Sequence, residues 1–263
     1  MNPLLSDLEK LARGAGEILR VGFHQANVID HKGEIDLVTE IDRRSETFLL
    51  ESIAKQFPTH RVVAEETGGI EGSDSCVWYV DPLDGTTNYA HKLPIFSVSI
   101  AYEVAGELVL GVVYDPMHDE SFTAERGKGA WLNGEPIGVG RAVELSNSLL
   151  VTGFPYDRFV NPDNNLEYFN RFALRVQGIR RLGSAALDLC YVACGRVDGF
   201  WEIRLQSWDL AAGTLIAREA GARVTKLDGT PDILSTPFNV VAANPALHGE
   251  MMVVLNGNLE ANL

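Results

Sequence analysis

Asp81 and Asp84 stand three residues apart in Asp81-Pro82-Leu83-Asp84-Gly85-Thr86-Thr87-Asn88, directly after the apolar run Cys76-Val77-Trp78-Tyr79-Val80. The run reads as a buried strand. A strand that meets proline loses a ladder hydrogen bond, so the chain is expected to turn at Pro82 with Asp81 fixed on the strand end. Gly85, lacking a Cβ, lets the backbone bend and approach another molecule closely. Two carboxylates facing one small space repel each other unless a proton or a cation sits between them. Magnesium suits such a place, because it takes hard oxygen ligands and completes its shell with water and phosphate. The N–H groups of Gly85, Thr86 and Thr87 would open a helical turn able to receive an anion. Taken alone, the same stretch is also an ordinary Asp-Pro and Asp-Gly turn.

Other acids ask for the same explanation. Glu65-Glu66 follows the short apolar strand Arg61-Val62-Val63-Ala64, Asp209 opens a helix, and Asp42 and Lys32 lie in or near a second helix. Each has a plainer reading. Asp209 can cap its helix against the dipole, Asp42 and Lys32 can be solvated charges, and Glu65-Glu66 can be a wet turn.

The elements that must position these residues are read from periodicity. Over 3 to 24, apolar residues recur at helical spacing, which predicts a long amphipathic helix that covers a sheet. A short extended piece over 27 to 30 and a charged loop lead to a second helix, 37 to 56. Strands follow at 61 to 64, 77 to 80, 96 to 103, 108 to 115, 121 to 125 and 130 to 133, with a hairpin at Ala105-Gly106. Near residue 149 the pattern changes to alternating strands and helices: helix 164 to 177, strand 179 to 182, helix 185 to 195, strand 199 to 203, and helix 210 to 220. Strands at 222 to 225 and 239 to 243 and a closing helix at 245 to 255 complete it. This predicts an α+β part over 1–145, carrying Glu65, Asp81 and Asp84, and an α/β part over 146–263, carrying Asp209 and Glu202.

Composition narrows the partners. The chain has 263 residues, long enough for a substantial core. Its net charge of −14 disfavours nonspecific attraction to nucleic acid or to an anionic membrane. No apolar run reaches the length of a membrane span, and the N-terminus lacks the pattern of a signal peptide, so a cytoplasmic location is expected. Three cysteines cannot all pair within one chain, and Cys190 and Cys194, at i, i+4, fit reduced core thiols better than a metal site.

The strings Asp81-Pro82-Leu83-Asp84-Gly85-Thr86 and Trp208-Asp209-Leu210-Ala211-Ala212-Gly213, with Glu65-Glu66 ahead of the first, resemble the paired signatures of the inositol monophosphatase family. The resemblance covers almost the whole chain, from Lys32 through Gly183-Ser184-Ala185-Ala186 to Glu219-Ala220-Gly221. It implies a layered αβαβα sandwich, and it implies magnesium. Glu65, Asp81 and the Leu83 carbonyl would hold one ion, and Asp81, Asp84 and Asp209 a second, with Glu65 placing a weaker third through water. Thr86, oriented by Asp42, would activate the attacking water together with Glu65. Asp84 and the N–H groups of Gly85 and Thr86 would lie at the phosphate, Lys32 on a loop closing over it, and Glu202 and the Ala185 backbone at substrate hydroxyls. Two departures stand out: Ala64 replaces the family's usual glycine, and Gly153-Phe154-Pro155-Tyr156-Asp157 matches no polyol-reading residue.

The activity so implied is direct attack of water on a phosphate monoester, inositol 1-phosphate first. Histidinol phosphate and fructose 1,6-bisphosphate follow, and 3′-phosphoadenosine 5′-phosphate comes after them. Lithium sensitivity and a homodimer are implied as well. A covalent phosphoaspartate is disfavoured, since that chemistry uses acids two residues apart, Asp-x-Asp-x-Thr. Some bacterial relatives serve the transcription machinery instead, which leaves a protein partner as the alternative.

Overall fold

The computed structural model describes residues 2–25, 29–31 and 37–257. The chain opens with α1 (Leu5–Phe23), strands β1 (Ile29–His31) and β2 (Leu37–Thr39), and α2 (Glu40–Gln56). Next come β3 (His60–Ala64), β4 (Ser73–Asp84), the short α3 (Thr86–Ala90), β5 (Ser97–Val104), β6 (Glu107–Asp115), β7 (Glu120–Glu125), β8 (Gly129–Leu132) and β9 (Glu135–Pro136). After a 3-10 turn at Leu145–Asn147 follow β10 (Leu149–Thr152), α4 (Leu166–Ala173), β11 (Gly178–Arg180), α5 (Ala185–Ala193), β12 (Gly199–Ile203), α6 (Ser207–Glu219), β13 (Arg223–Thr225), β14 (Asn239–Ala243) and α7 (Pro245–Asn256).

Two sheets organise these elements. The larger runs β3-β4-β5-β6-β7-β8-β9, with β3 parallel to β4 and the rest an antiparallel meander. The smaller runs β11-β10-β12-β14-β13, parallel around β10 and antiparallel at β14. Helices α1 and α2 cover one face of the large sheet, α5 and α6 fill the space between the sheets, and α4 and α7 cover the outer face of the small one. This is the layered αβαβα arrangement.

The layers follow from where each helix is apolar. Leu8, Leu11, Ala12, Ala15 and Leu19 make one buried stripe on α1, packed with Leu49 and Ile53 of α2 on Trp78, Ile100 and Tyr102 of the sheet. Each fully buried leucine contributes about 2 kcal/mol. Helices α5 and α6 are apolar nearly all round, and they are sandwiched on both sides. Cys190 is buried and Cys194 half-buried there, both as free thiols.

Three local expectations need correction. Leu37–Thr39 is a strand paired with Ile29–His31, so the second helix begins at Glu40. Val38 and Thr39 are β-branched and favour the extended form. The helix expected over 164 to 177 is confined to Leu166–Ala173, and the next strand lies at Gly178–Arg180. Finally, β4 does not end before Pro82. It continues to Asp84 through an irregularity in which Asp81 pairs with Ser99 and Asp84 with Ser97, so that Pro82 and Leu83 bulge out of the ladder. A bulge is one of the places where a sheet tolerates proline, and the Ser45 hydroxyl donates to the Pro82 carbonyl at 2.9 Å.

Candidate active site

Strand register sets the first two acids side by side. Ala64 of β3 pairs with Val80 of β4 in a parallel ladder, so Glu65 and Asp81 follow at neighbouring positions. The turn after Glu65 is pinned from α2, whose Glu46 carboxylate accepts the N–H of Glu66 at 2.8 Å and that of Thr67 at 2.9 Å. The bulge then carries the chain from Asp81 to Asp84. Asp81 Oδ1 accepts the Leu83 N–H at 3.0 Å, which fixes its carboxylate against its own turn.

Asp84 reaches across to the start of α5. Its Oδ2 accepts the Ser184 hydroxyl at 2.5 Å and the Ala186 N–H at 2.8 Å, and its Oδ1 accepts the Ala185 N–H at 3.3 Å. The positive end of that helix therefore holds a carboxylate from the end of β4 in the large sheet. Asp209 lies in the first turn of α6, where Oδ2 accepts the Gln206 N–H at 2.7 Å. Capping and cleft-lining are both true of Asp209. Glu65, Asp81, Asp84 and Asp209 line one cavity of about 340 Å³, together with Leu83, Gly85, Thr86, Ala185 and Glu202.

So many acids in one place disturb one another. Burial pushes the Asp81 carboxyl well above its usual range, and the charges of Glu65, Asp84 and Asp209 push it further. Burial, then Asp84 and Glu65, raise Asp209 in the same direction. Burial moves Asp84 up to about 6, even though Ser184, Ala186 and Ala185 stabilise its charge and Arg181 attracts it. Burial likewise raises Glu202 to about 8, opposed by Arg181. A divalent cation would relieve this repulsion, and the all-oxygen donor set fits a hard ion. Among the described residues, no three His, Cys, Asp or Glu side chains are gathered tightly enough to hold an ion by themselves. Carbonyl, water or phosphate oxygens would complete the shell, as magnesium commonly allows.

Thr86 begins α3, and its hydroxyl lies 3.0 Å from Asp42 Oδ1 and 3.1 Å from the Leu83 carbonyl oxygen. One hydroxyl proton cannot fully serve both acceptors. Gly85, just ahead, has φ 102°, and a Cβ there would lie 3.0 Å from the Ile95 carbonyl oxygen and 3.2 Å from that of Gly183. Only glycine meets both demands without strain. Ala185 lines the cavity while its N–H is engaged by Asp84, and Glu202 lines it from the end of β12. Lys32 lies outside the described residues.

Sequence reasoning missed several contributors. Ser184 looks like a helix-capping serine, and nothing local says that it also holds Asp84. Asn88 of α3 ties the approach to β5 to the chain just before α5, its amide donating to the Ile95 carbonyl at 2.8 Å and to the Leu182 carbonyl at 2.7 Å. Glu46 had a usable signal: Asp42, Ser45 and Glu46 share the buried side of α2 with Leu49 and Ile53. Polar residues at core spacing mark a face that meets something polar.

The sequence model of the inositol monophosphatase family matches residues 1–260. The chain belongs to that family. Its similarity to individual members extends over nearly its full length. It is 43% identical over 255 residues to the Nus factor SuhB of Pasteurella multocida, covering 96% of this chain and 95% of that one. Among solved structures, the extragenic suppressor protein suhB of Bartonella henselae superposes with a TM-score of 0.90 at 39% identity, covering 96% of this chain and 98% of the other. The inositol monophosphatase of Anabaena gives 0.85 at 44% identity, with 94% and 92% covered. That family is generally magnesium-dependent.

Proposed function

We propose that this chain hydrolyses phosphate monoesters with magnesium, by direct attack of water, and that inositol 1-phosphate is the leading substrate. The observation that carries the reading is the convergence of Glu65, Asp81 and Asp84, from the β3 and β4 ends of the large sheet, and Asp209, from α6, on one cavity beside the buried Thr86–Asp42 pair. Glu65, Asp81 and the Leu83 carbonyl would hold one ion and Asp81, Asp84 and Asp209 another, with a third, weaker ion near Glu65. Bound there, the ions would lower the pKa of water and neutralise charge on the phosphoryl group and leaving oxygen.

The chain's own residues account for the rest. If the Leu83 carbonyl is taken up as a ligand, the Thr86 hydroxyl donates to Asp42 alone, and its lone pair can accept a hydrogen bond from the attacking water and take that proton as its own passes to the Asp42 carboxylate. Glu65 stands ready as a second acceptor. Backbone N–H groups at Gly85 and Thr86 would receive phosphate oxygens, with Lys32 contributing its charge. Glu202 and the backbone near Ala185 would meet hydroxyls of the leaving alcohol. The division into parts 1–145 and 146–263 belongs to the same proposal, as do a homodimer and a cytoplasmic location. No helix among the described residues is long and apolar enough to cross a membrane.

A second reading is favoured by the similarity to Nus factor SuhB proteins: a protein partner in the transcription machinery, with or without hydrolysis. Histidinol phosphate and fructose 1,6-bisphosphate are the competing esters. The test is kcat/KM for the three esters in magnesium, with Asp81→Asn alongside. The hydrolase reading requires turnover that Asp81→Asn lowers by about a thousandfold or more. Equal activity in the variant would refute it, and capture of transcription proteins by a hydrolytically silent Asp209→Ala chain would support the second reading.

A further inference from the structure

The substrate side of the cavity contains a close approach that neither the metal ligands nor the water-activating pair uses. Thr152 of β10 is paired with Trp201 of the parallel strand β12, so Gly153 and Glu202 are the next residues at adjacent strand ends. Both line the cavity. A Cβ on Gly153 would lie 2.0 Å from Glu202 Oε1, 2.3 Å from its Cδ and 2.4 Å from Oε2. The whole carboxylate of Glu202 therefore rests over the bare α-carbon of Gly153.

The peptide beneath it is held from below by a buried polar cluster. The Asn165 amide donates to the Gly153 carbonyl at 2.5 Å and to the Thr152 hydroxyl oxygen at 2.9 Å, while its Oδ1 accepts the Trp201 indole N–H at 2.7 Å. The Thr152 hydroxyl donates to the Trp201 carbonyl at 2.6 Å. Asn165 is 3% exposed, and Thr152 and Trp201 are fully buried. A satisfied network of this kind fixes one geometry, because any displaced member would leave buried donors or acceptors unpaired. The strand ends cannot part to make room for a side chain at 153. What can move is the Glu202 carboxylate, the far end of a flexible side chain.

We infer that Gly153 is a positioning residue for alcohol recognition: its missing side chain seats the Glu202 carboxylate against β10, which sets the depth of the leaving-group pocket and suits it to a polyhydroxylated alcohol. This inference rests on the hydrolase reading and on the contact between Glu202 and substrate hydroxyls. A methyl group at 153 drives the carboxylate out over the cavity, where it takes the space of the alcohol and meets its hydroxyls at the wrong angle. The backbone is undisturbed, so the variant folds.

The experiment compares Gly153→Ala with the unaltered chain on inositol 1-phosphate and on phenyl phosphate, whose leaving group carries no other hydroxyl. The expected result is a KM for inositol 1-phosphate raised about tenfold, with a shift of about threefold or less for phenyl phosphate. In a Gly153→Ala, Glu202→Asp chain the shorter carboxylate clears the methyl group and recovers part of the loss. Circular dichroism and the melting temperature confirm the fold of each variant. Equal losses on the two esters, or the same loss from Gly153→Ala in a Glu202→Ala background, overturn the inference while leaving the hydrolase reading intact. Absence of turnover by the unaltered chain, in magnesium, of both esters and of histidinol phosphate and fructose 1,6-bisphosphate refutes the hydrolase reading, and the inference with it.

Discussion

Stability should fall with rising pH through the cleft acids when no divalent cation is present, and Asp84 allows the size of the effect to be worked out. Its carboxyl is 9% exposed and is pushed by burial from 3.8 to about 6. A proton is therefore bound more tightly in the folded chain than in the unfolded one. The stability this confers is complete below pH 3.8 and is lost as the pH rises through 6. The interval between the two values corresponds to about 3 kcal/mol. Buried His248 acts oppositely, since burial lowers it from 6.5 to about 4, so its contribution to stability grows as the pH rises between those values. A single pH titration would mix Asp84 with His248 and with the other raised acids, Asp81, Asp209 and Glu202. The difference between the unaltered chain and Asp84→Asn removes His248, which both proteins share. Urea unfolding in chelator from pH 4 to 8 should show the unaltered chain losing at least about 2 kcal/mol more than the variant, since the Asp84 charge also raises Asp81 and Asp209. Excess magnesium should abolish that difference by binding the ionised acids, since a ligand of the folded state stabilises it. Parallel curves for the two proteins in chelator would refute the reasoning.

Two further outcomes follow from the site's supports. Glu46→Ala leaves the Glu66 and Thr67 N–H groups without their carboxylate, and should cost about 2–4 kcal/mol in chemical unfolding; Glu46→Gln, which keeps an acceptor, should cost less. Thr86→Val removes the hydroxyl shared by Asp42 and Leu83 and should lower kcat about a hundredfold with KM little changed, measured at saturating magnesium.

Much of this architecture was legible because its signals are local. The α1 stripe of Leu8, Leu11, Ala15 and Leu19 is periodic, the Ala105-Gly106 hairpin carries its own turn residues, and the acids sit beside proline and glycine. What escaped depends on distance. Pro82 looks like a strand terminus by its own chemistry, yet Ser45 from α2 and the continued pairing of Asp84 with Ser97 keep the strand going past it. Leu37–Thr39 lies at the end of a helical pattern and becomes a strand through pairing with Ile29–His31. The hold of Ser184 on Asp84 spans one hundred residues of sequence, and no spacing rule reaches that far. Gly153 carries no local signal of its role, because the Glu202 carboxylate that lies against it comes from another strand.

The central claim is that Glu65, Asp81, Asp84 and Asp209 cage divalent cations. Crystals soaked in manganese test it most directly. The account predicts anomalous peaks at two positions, one beside Glu65, Asp81 and the Leu83 carbonyl and one beside Asp81, Asp84 and Asp209. A map with no peak within coordination distance of these oxygens would contradict it.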